Sequence, residues 1–432
     1  MTAILRKFPN QPDPPVVARM EGANVHCADG RVLLDATAGW CSQHVMGYSH
    51  PIVLDAMREQ MSKFCHVDYN AWRNPMLEEL AELLLQHAPQ GIDKVYFSGN
   101  SGSEATEAAM KLSYQTHYNE GKPGKKWFIS REQGYHGATL QSMAVSQIDI
   151  LEFYEPIKPP FCALIPPHYP HRCMKEGETL EEYARRGARD LENKILELGP
   201  ENVCAFIGET MLGSLVGDVP PAPGYWKLIR EVCDRYDVHL ILDEVYCGLG
   251  RSSKVYCCDW DDISPDFICV GKALGAGYGP LSAVLTRSRV EDVIKAGQGR
   301  INHGHTHQGY SLAAAAALAI QKIVQTDEML AHIALIGERI RGHLKSELSQ
   351  HPFFREVRGR GSLFSFEYEC PDLPKFSSEI QQTLDRDHRV LVSAKWHRMS
   401  YSPPFILTTA EMDRIAEASV SAFKSVAKRW GA

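Results

Sequence analysis

The stretch DFICVGKALGAGYGPLSAV, residues 266 to 284, is an apolar run that ends in Lys272 and turns at once through three glycines. A lysine there can cap a strand, hold a phosphate or do covalent chemistry. A Walker loop places its glycines before the lysine and a Ser or Thr directly after it. Here Gly275, Gly277 and Gly279 come after Lys272 and Ala273 stands next to it, so that rival fails on order. A lysine that closes an apolar strand is partly desolvated, which favours the neutral amine needed for a Schiff base. Glycines behind it would let backbone approach a bound ring or phosphate.

Outward from this stretch, short apolar runs alternate with longer stretches of helical period. The runs are KVYFSG (94 to 99), KWFIS (126 to 130), NVCAFIGE (202 to 209), VHLILDE (238 to 244) and DFICVGK. This is the pattern of βα units, and it predicts an α/β fold around a mostly parallel sheet. The runs end at polar or glycine-rich groups: Ser98-Gly99-Asn100, Tyr135-His136-Gly137 shortly after the second, then Glu209, Asp243 and Lys272. Ligands of open α/β sheets bind outside the carboxyl ends of the strands, so these groups are candidates to converge on one site. The plainer alternative is that strand ends are polar because loops are wet.

The individual motifs sharpen that choice. In FSGNSGSEATEAAMKL (97 to 112), Ser101 and Glu104 fit a capping box, and Ala105, Ala108, Ala109 and Leu112 form a close-packed helix face. The amides at that helix start, with Ser101, the Gly102 backbone and the Ser103 hydroxyl, suit a phosphate. In GYHGAT (134 to 139), Tyr135 is placed to stack on a flat ligand, or simply to pack in a loop. Asp243 in LILDEVYCGLGR closes an apolar strand, where a carboxylate is costly unless paired. A protonated heteroaromatic nitrogen would be such a partner; a metal held with Glu244 is disfavoured because neighbouring strand residues face opposite ways. In NHGHTHQGY (302 to 310), His303, His305 and His307 alternate, which on a strand would suggest zinc, whereas Thr306 would be a hydroxyl donor to a phosphate.

Composition sets outer limits. The 432 residues carry 46 basic and 53 acidic side chains, a net charge of -7 with no long run of either sign, which argues against a nucleic-acid partner. No stretch approaches the roughly 18 apolar residues of a membrane helix, and the start of the chain lacks the apolar core of a signal peptide. Twelve cysteines without CxxC spacing suggest reduced thiols, hence a reducing, cytoplasmic compartment. Beyond Ser311 the pattern predicts one long helix (about 311 to 349), a strand through EVRGRGSLFSFEYE, another near HRVLVSA and a closing amphipathic helix from about Ala410. These form a smaller α+β domain against which the first fifty residues, with strand-like NVHCADGRVLLDA, are expected to pack. The expected division is 1 to 50, 51 to 315 for a large domain and 316 to 432 for a small one.

Taken together, DATAGWCSQHVMGYSHP, NSGSEATEAAMKL, GYHGAT, LDEVYCGLGR, GKALGAGYGPLSAV, HGHT, VRGRGSLFSF and SPPFILT resemble, in order and spacing, the class III aminotransferases, the pyridoxal-phosphate-dependent group that includes omega-amino acid and amine transaminases. The resemblance implies fold type I: a large domain with a mostly parallel seven-stranded sheet, a small α+β domain built from both chain ends, and a homodimer with shared active sites, or a larger assembly built from it. It implies pyridoxal 5'-phosphate as cofactor and no metal. Lys272 would carry the cofactor and move the substrate proton, and Asp243 would keep the pyridine nitrogen protonated. Val245 and Tyr135 would sandwich the ring, with His136 and Glu209 close by. Gly102 and Ser103 would hold the phosphate, joined by a Thr306 supplied across the dimer.

Trp40 matches a pocket aromatic of amine transaminases. The mobile arginine that some relatives use for a substrate carboxylate, about ten residues before Pro-Pro, falls here on Ser393, with Lys395 and Arg398 as nearby cations; GLGRSS replaces the usual GFGRTG. The expected reaction is transfer of an amino group from an amine or ω-amino acid to an oxo acid, pyruvate rather than 2-oxoglutarate. The rivals are a racemase, decarboxylase or aminomutase on the same fold, or a noncatalytic binding protein.

Overall fold

The computed structural model describes residues 3 to 10, 13 to 147, 151 to 213 and 215 to 431. Its centre is a seven-stranded sheet in the order Lys94–Gly99, Ser282–Thr286, Phe267–Val270, His239–Asp243, Val203–Glu209, Trp127–Arg131, Cys162–Ile165. Only Ser282–Thr286 runs against its two neighbours; every other pairing is parallel. The strands Val203–Glu209, His239–Asp243 and Phe267–Val270 are buried along their whole length, which is why they read as unbroken apolar runs rather than as alternating ones. Parallel pairing then puts Glu209, Asp243 and the residues after Val270 at one edge of the sheet, as the register Glu209↔Asp243 and Asp243↔Cys269 records.

Helices cover both faces. Gly102–Asn119 packs Ala105, Ala108, Ala109 and Leu112 onto one face, the small residues admitting close approach. On the other, Tyr225–Arg235 brings Trp226 and Ile229, and Ser311–Val324 brings its alanines, into the largest core. The expected helix of 311 to 349 is two helices, Ser311–Val324 and Asp327–Leu348. Thr326 breaks it: its backbone is extended, and its hydroxyl accepts from the Met329 amide at 3.3 Å, with Asp327 and Glu328 in the first turn. The first of these helices lies wholly in the larger core, so that packing unit reaches Val324.

A second core joins Ala23, Leu34 and Ala36 to Ile336, Phe364, Tyr401 and Phe423 from the far end of the chain. EVRGRGSLFSFEYE is a hairpin rather than one strand: Phe354–Arg360 folds back on Leu363–Tyr368 around Gly361, whose φ of +54° suits glycine. HRVLVSA likewise divides. Val390–Leu391 pairs with Val32–Asp35, in a sheet with Val17–Glu21 and Asn24–Cys27, whereas Ser393–Lys395 pairs with Arg398–Tyr401. NVHCADGRVLLDA is the hairpin of that first sheet. The closing helix is Thr409–Arg429, with a Thr408 and Glu411 capping box. No helix among the described residues is long and apolar enough to cross a membrane, and all twelve cysteines are free thiols.

Candidate active site

A cavity of about 600 Å³ opens at the carboxyl edge of the sheet. It collects the residues that the resemblance assigns to cofactor and substrate, Thr306 excepted: Ser101, Gly102 and Ser103 at a helix start, Tyr135 and His136 in a loop, Glu209, Asp243 and Val245 at strand ends, Lys272, and Trp40 and Arg398 on the outer wall. Thr306 lines a separate cavity with His66, Tyr96 and His303, and its carbonyl lies 3.2 Å from His66 Nε2. The segment His303 to His307 is irregular chain entering a turn at Thr306 and not a strand, so the alternation of its histidines does not place them on one face. His303 Nδ1 is 3.0 Å from Lys111 Nζ, a cation where a metal site would need an open ligand.

Asp243 ends its strand 5% exposed. One oxygen accepts from His136 Nδ1 at 2.8 Å and the other from the Val245 amide at 3.0 Å. A carboxylate can only accept, so Nδ1 carries the ring proton and the histidine is fixed in one tautomer. Glu244 turns to the opposite side, where it takes the amides of Cys257 (2.6 Å) and Cys258 (2.8 Å) and the Thr210 hydroxyl (3.0 Å). The alternation that separates the two acids therefore gives one to the cavity and one to the fold.

Lys272 follows the strand Phe267–Val270 in a tight turn with φ +36°, a strained setting for a residue with a side chain. Its ammonium lies 5.0 Å from the centre of the Tyr246 ring, and it has no hydrogen-bond partner among the described residues. Burial lowers its pKa, while Asp243, Cys41 and Glu209 pull the other way. Glu209 accepts from the Tyr135 amide (3.2 Å) and the Gly213 amide (3.1 Å); burial, with Asp243 adding to it, pushes its pKa up to about 7 against the pull of His136 and Arg131.

The helix start is built as the capping box predicts. Glu104 Oε2 takes the Ser101 amide at 2.7 Å, and Ser103 Oγ accepts from the Ala138 amide at 3.0 Å. Gly102 is pressed against Val245: a Cβ there would stand 2.5 Å from Val245 Cγ1. The glycines behind Lys272 serve packing more than ligand approach. A Cβ on Gly275 would meet the Gly279 carbonyl at 1.9 Å, one on Gly277 would meet His44 at 2.2 Å, and one on Gly279 would meet Ala313 at 2.6 Å.

Three residues at the site were not singled out from sequence. Tyr246 sits under the Lys272 amine, Cys41 lines the cavity beside Trp40, and Arg131 lies buried behind Glu209, donating to its backbone carbonyl. Arg131 carries the same signal as Asp243, a charged residue closing an apolar strand. The other two have no signal beyond adjacency to Val245 and Trp40.

The donor set fits pyridoxal phosphate. Helix-start amides and the Ser103 hydroxyl suit the phosphate, a buried carboxylate suits the ring nitrogen, and a half-buried amine without a hydrogen-bond partner among the described residues suits the aldehyde. The family described as Aminotransferase class-III matches residues 8 to 423. An uncharacterised aminotransferase of Schizosaccharomyces pombe is 33% identical over 94% of this chain and 91% of its own length. Gamma aminobutyrate transaminase 2 of Solanum lycopersicum is 33% identical over 96% of this chain and 93% of its own. Among solved structures, the omega transaminase of Pseudomonas jessenii in complex with PMP superposes with a TM-score of 0.91 at 30% identity, over 97% of this chain and 94% of that one. With that match along nearly its whole length, and with these groups gathered at the sheet edge, the chain belongs to the class III aminotransferases, pyridoxal-phosphate-dependent transaminases of fold type I.

Proposed function

We propose that this enzyme takes the amino group from an amine or ω-amino acid, keeps it on the cofactor, and hands it to an oxo acid, with pyruvate preferred over 2-oxoglutarate, in a two-stage ping-pong cycle. The observation that carries this reading is the meeting of the half-buried Lys272 amine and the buried Asp243 carboxylate in one cavity at a helix start. When bound, the cofactor supplies an electron sink for the carbon that bears the nitrogen.

The chain's own residues do the rest. Gly102 and Ser103, with Ser101 holding the helix start, bind the phosphate. Val245 and Tyr135 flank the ring. Asp243 holds a proton on the ring nitrogen, and His136 fixes the orientation of its carboxylate. Lys272 Nζ, kept toward the neutral form by burial, would move the proton from the donor carbon to the cofactor in the first half of the cycle and from the cofactor to the acceptor carbon in the second. Trp40, half exposed on the outer wall, limits the size of the donor.

A homodimer in a reducing, cytoplasmic setting belongs to the same proposal. Its support is the separation of Thr306 from its own chain's cavity, together with the exposed Ile52, Met61 and Trp72, apolar side chains of the kind a subunit interface covers.

The test is the visible spectrum of the purified enzyme with a panel of amines and amino acids, followed by pyruvate or 2-oxoglutarate. A yellow band that bleaches with one donor class and returns with an oxo acid supports the proposal. A band that bleaches and is restored by no oxo acid favours a racemase or decarboxylase instead.

A further inference from the structure

Asp35 ends the strand Val32–Asp35, between Leu34 and Ala36 of the second core, and is 1% exposed. A carboxylate so far from water is costly unless donors fill its acceptor sites. Here Oδ1 accepts from the Thr37 amide at 2.7 Å and the Thr37 hydroxyl at 2.6 Å, and Oδ2 from the Gly39 amide at 2.7 Å and the Tyr48 hydroxyl at 2.6 Å. Three of these bonds go to the segment that directly follows the strand. An asparagine is no substitute, because its NH2 group would turn donors against donors on one side.

The segment so held has an unusual backbone. Ala38 (φ +46°), Gly39 (+81°), Trp40 (+66°) and Ser42 (+64°) all lie in the left-handed region, which residues with a side chain rarely adopt. Such a run persists only where its surroundings over-determine it. Both of its ends are fixed. At the start, the Thr37 hydroxyl that donates to Asp35 accepts from the Trp40 amide at 2.8 Å, so two hydrogen bonds in series join the buried carboxylate to the tryptophan. At the end, the fully buried Arg251 donates to the Ser42 carbonyl at 3.2 Å.

Trp40 is what this arrangement presents to the cavity. Its side chain is 52% exposed and makes no hydrogen bond, ring stacking or cation contact with any described residue. The indole has no polar or stacking grip of its own, so its place on the wall is set by the backbone that carries it. Asp35 is not among the residues that line the cavity, and whatever it does for a donor it does through this segment.

We propose that Asp35 is the positioning residue for Trp40: relayed by Thr37, it holds the left-handed backbone of residues 38 to 42 and so sets how large a group a donor can carry beside its amine-bearing carbon. This deepens the aminotransferase reading and rests on it. Selectivity for donor size is thereby controlled from a carboxylate that no donor touches.

The test uses the holoenzyme and its Asp35→Asn and Thr37→Val variants, each made also in a Trp40→Gly background. The readout is the rate at which propan-2-amine and the bulkier 1-phenylpropan-1-amine bleach the cofactor band with no oxo acid present. Steric discrimination in a pocket is worth about 10- to 200-fold, so in either variant the ratio of the two rates should fall about tenfold. Thr37→Ser, which keeps the hydroxyl, should leave the ratio at its parent value. In the Trp40→Gly background neither substitution should move the ratio by more than about twofold, because the group to be positioned is gone. A general loss of stability would instead lower both rates alike in either background. A ratio unchanged in both variants, or one that changes as much without Trp40 as with it, overturns the proposal. A second measurement needs no turnover and covers the case in which Asp35→Asn does not fold. Acrylamide quenching, taken as the difference between each protein and its Trp40→Phe counterpart, isolates this indole among the seven tryptophans. Thr37→Val should alter that difference, and an unaltered one refutes the relay even should no amine bleach the band. The positioning of Trp40 and the aminotransferase reading thus fail separately.

Discussion

Replacing Gly102 by alanine tests the geometry of the cofactor slot. The new methyl would stand 2.5 Å from Val245 Cγ1, 2.9 Å from Cγ2 and 3.3 Å from Cβ. Carbon atoms rest about 3.5 to 4.0 Å apart, so roughly 1 Å has to be found. The helix start cannot supply it cheaply, because Ser101 and Glu104 clamp it in a capping box. Val245 can move only by disturbing the bond from its amide to Asp243 Oδ1 at 3.0 Å, or by swinging its side chain into the space the ring needs. In the empty enzyme that space is free, so the strain falls on the loaded state.

Overpacking of this size costs about 1 to 3 kcal/mol, and at tenfold per 1.4 kcal/mol cofactor affinity should fall roughly 5- to 150-fold. The assay is absorbance titration of the apoenzyme with pyridoxal phosphate. Val245→Ala removes both γ carbons, so the double variant should recover most of the loss, a coupling visible in a double-mutant cycle. A Gly102→Ala enzyme that binds the cofactor within about twofold of the parent would refute the reasoning, as would a double variant no better than the single one.

Three further outcomes follow from the site. Lys272→Met should abolish turnover and yet raise the stability of the apoenzyme at neutral pH. The folded pKa of this amine lies below its ordinary value of 10.5, so the unfolded chain binds more protons between the two and the parent gains stability as pH rises through that window; the difference in Tm between variant and parent should shrink toward pH 10.5. Glu209 and Glu244 are both pushed up to about 7 by burial, from an ordinary 4.5. Their contribution to stability is full below 4.5 and lost as pH rises through about 7, so chemical denaturation of the apoenzyme should show a decline over that range, and Glu244→Gln should flatten it. His136→Phe strips one oxygen of Asp243 of its partner, at a cost of about 1 to 3 kcal/mol in denaturation. Because the histidine positions the aspartate, the cofactor band of the loaded variant should also shift with pH differently from the parent, and His136→Asn, which can still donate, should restore part of that profile.

The inner half of the site was legible in sequence because its strands are buried on both faces. Where a strand is apolar throughout, any charged residue at its end stands out, and parallel pairing sends all such ends to one edge; Glu209, Asp243 and Lys272 were readable for that reason. Ser101 and Glu104 were readable because a capping box is local chemistry. The outer wall was less open to reading. Lys395 and Arg398 face the cavity only because a two-residue reversal at Trp396 and His397 sets the register, and Val392 passes the chain from one sheet to another just before it. The break at Thr326 was hidden by helical periodicity on both sides, although the threonine and two acids that follow it are an N-terminal signal. Tyr246 and Cys41 reach the site by contacts between segments far apart in the chain, which no local pattern records.

The hairpin behind Lys395 has its back in one core while the strand ends that hold Lys272 and Asp243 belong to another. Chemistry and selectivity are therefore inherited through separate packing problems. Substitutions at Ala394, Met399 or Tyr401 can tilt the wall and retune what is accepted without touching a group that handles protons, and they are tolerated or rejected by a core with no part in catalysis. A lineage of this enzyme can drift among substrates at constant mechanism, and its history of preference should be written in residues that no substrate ever meets.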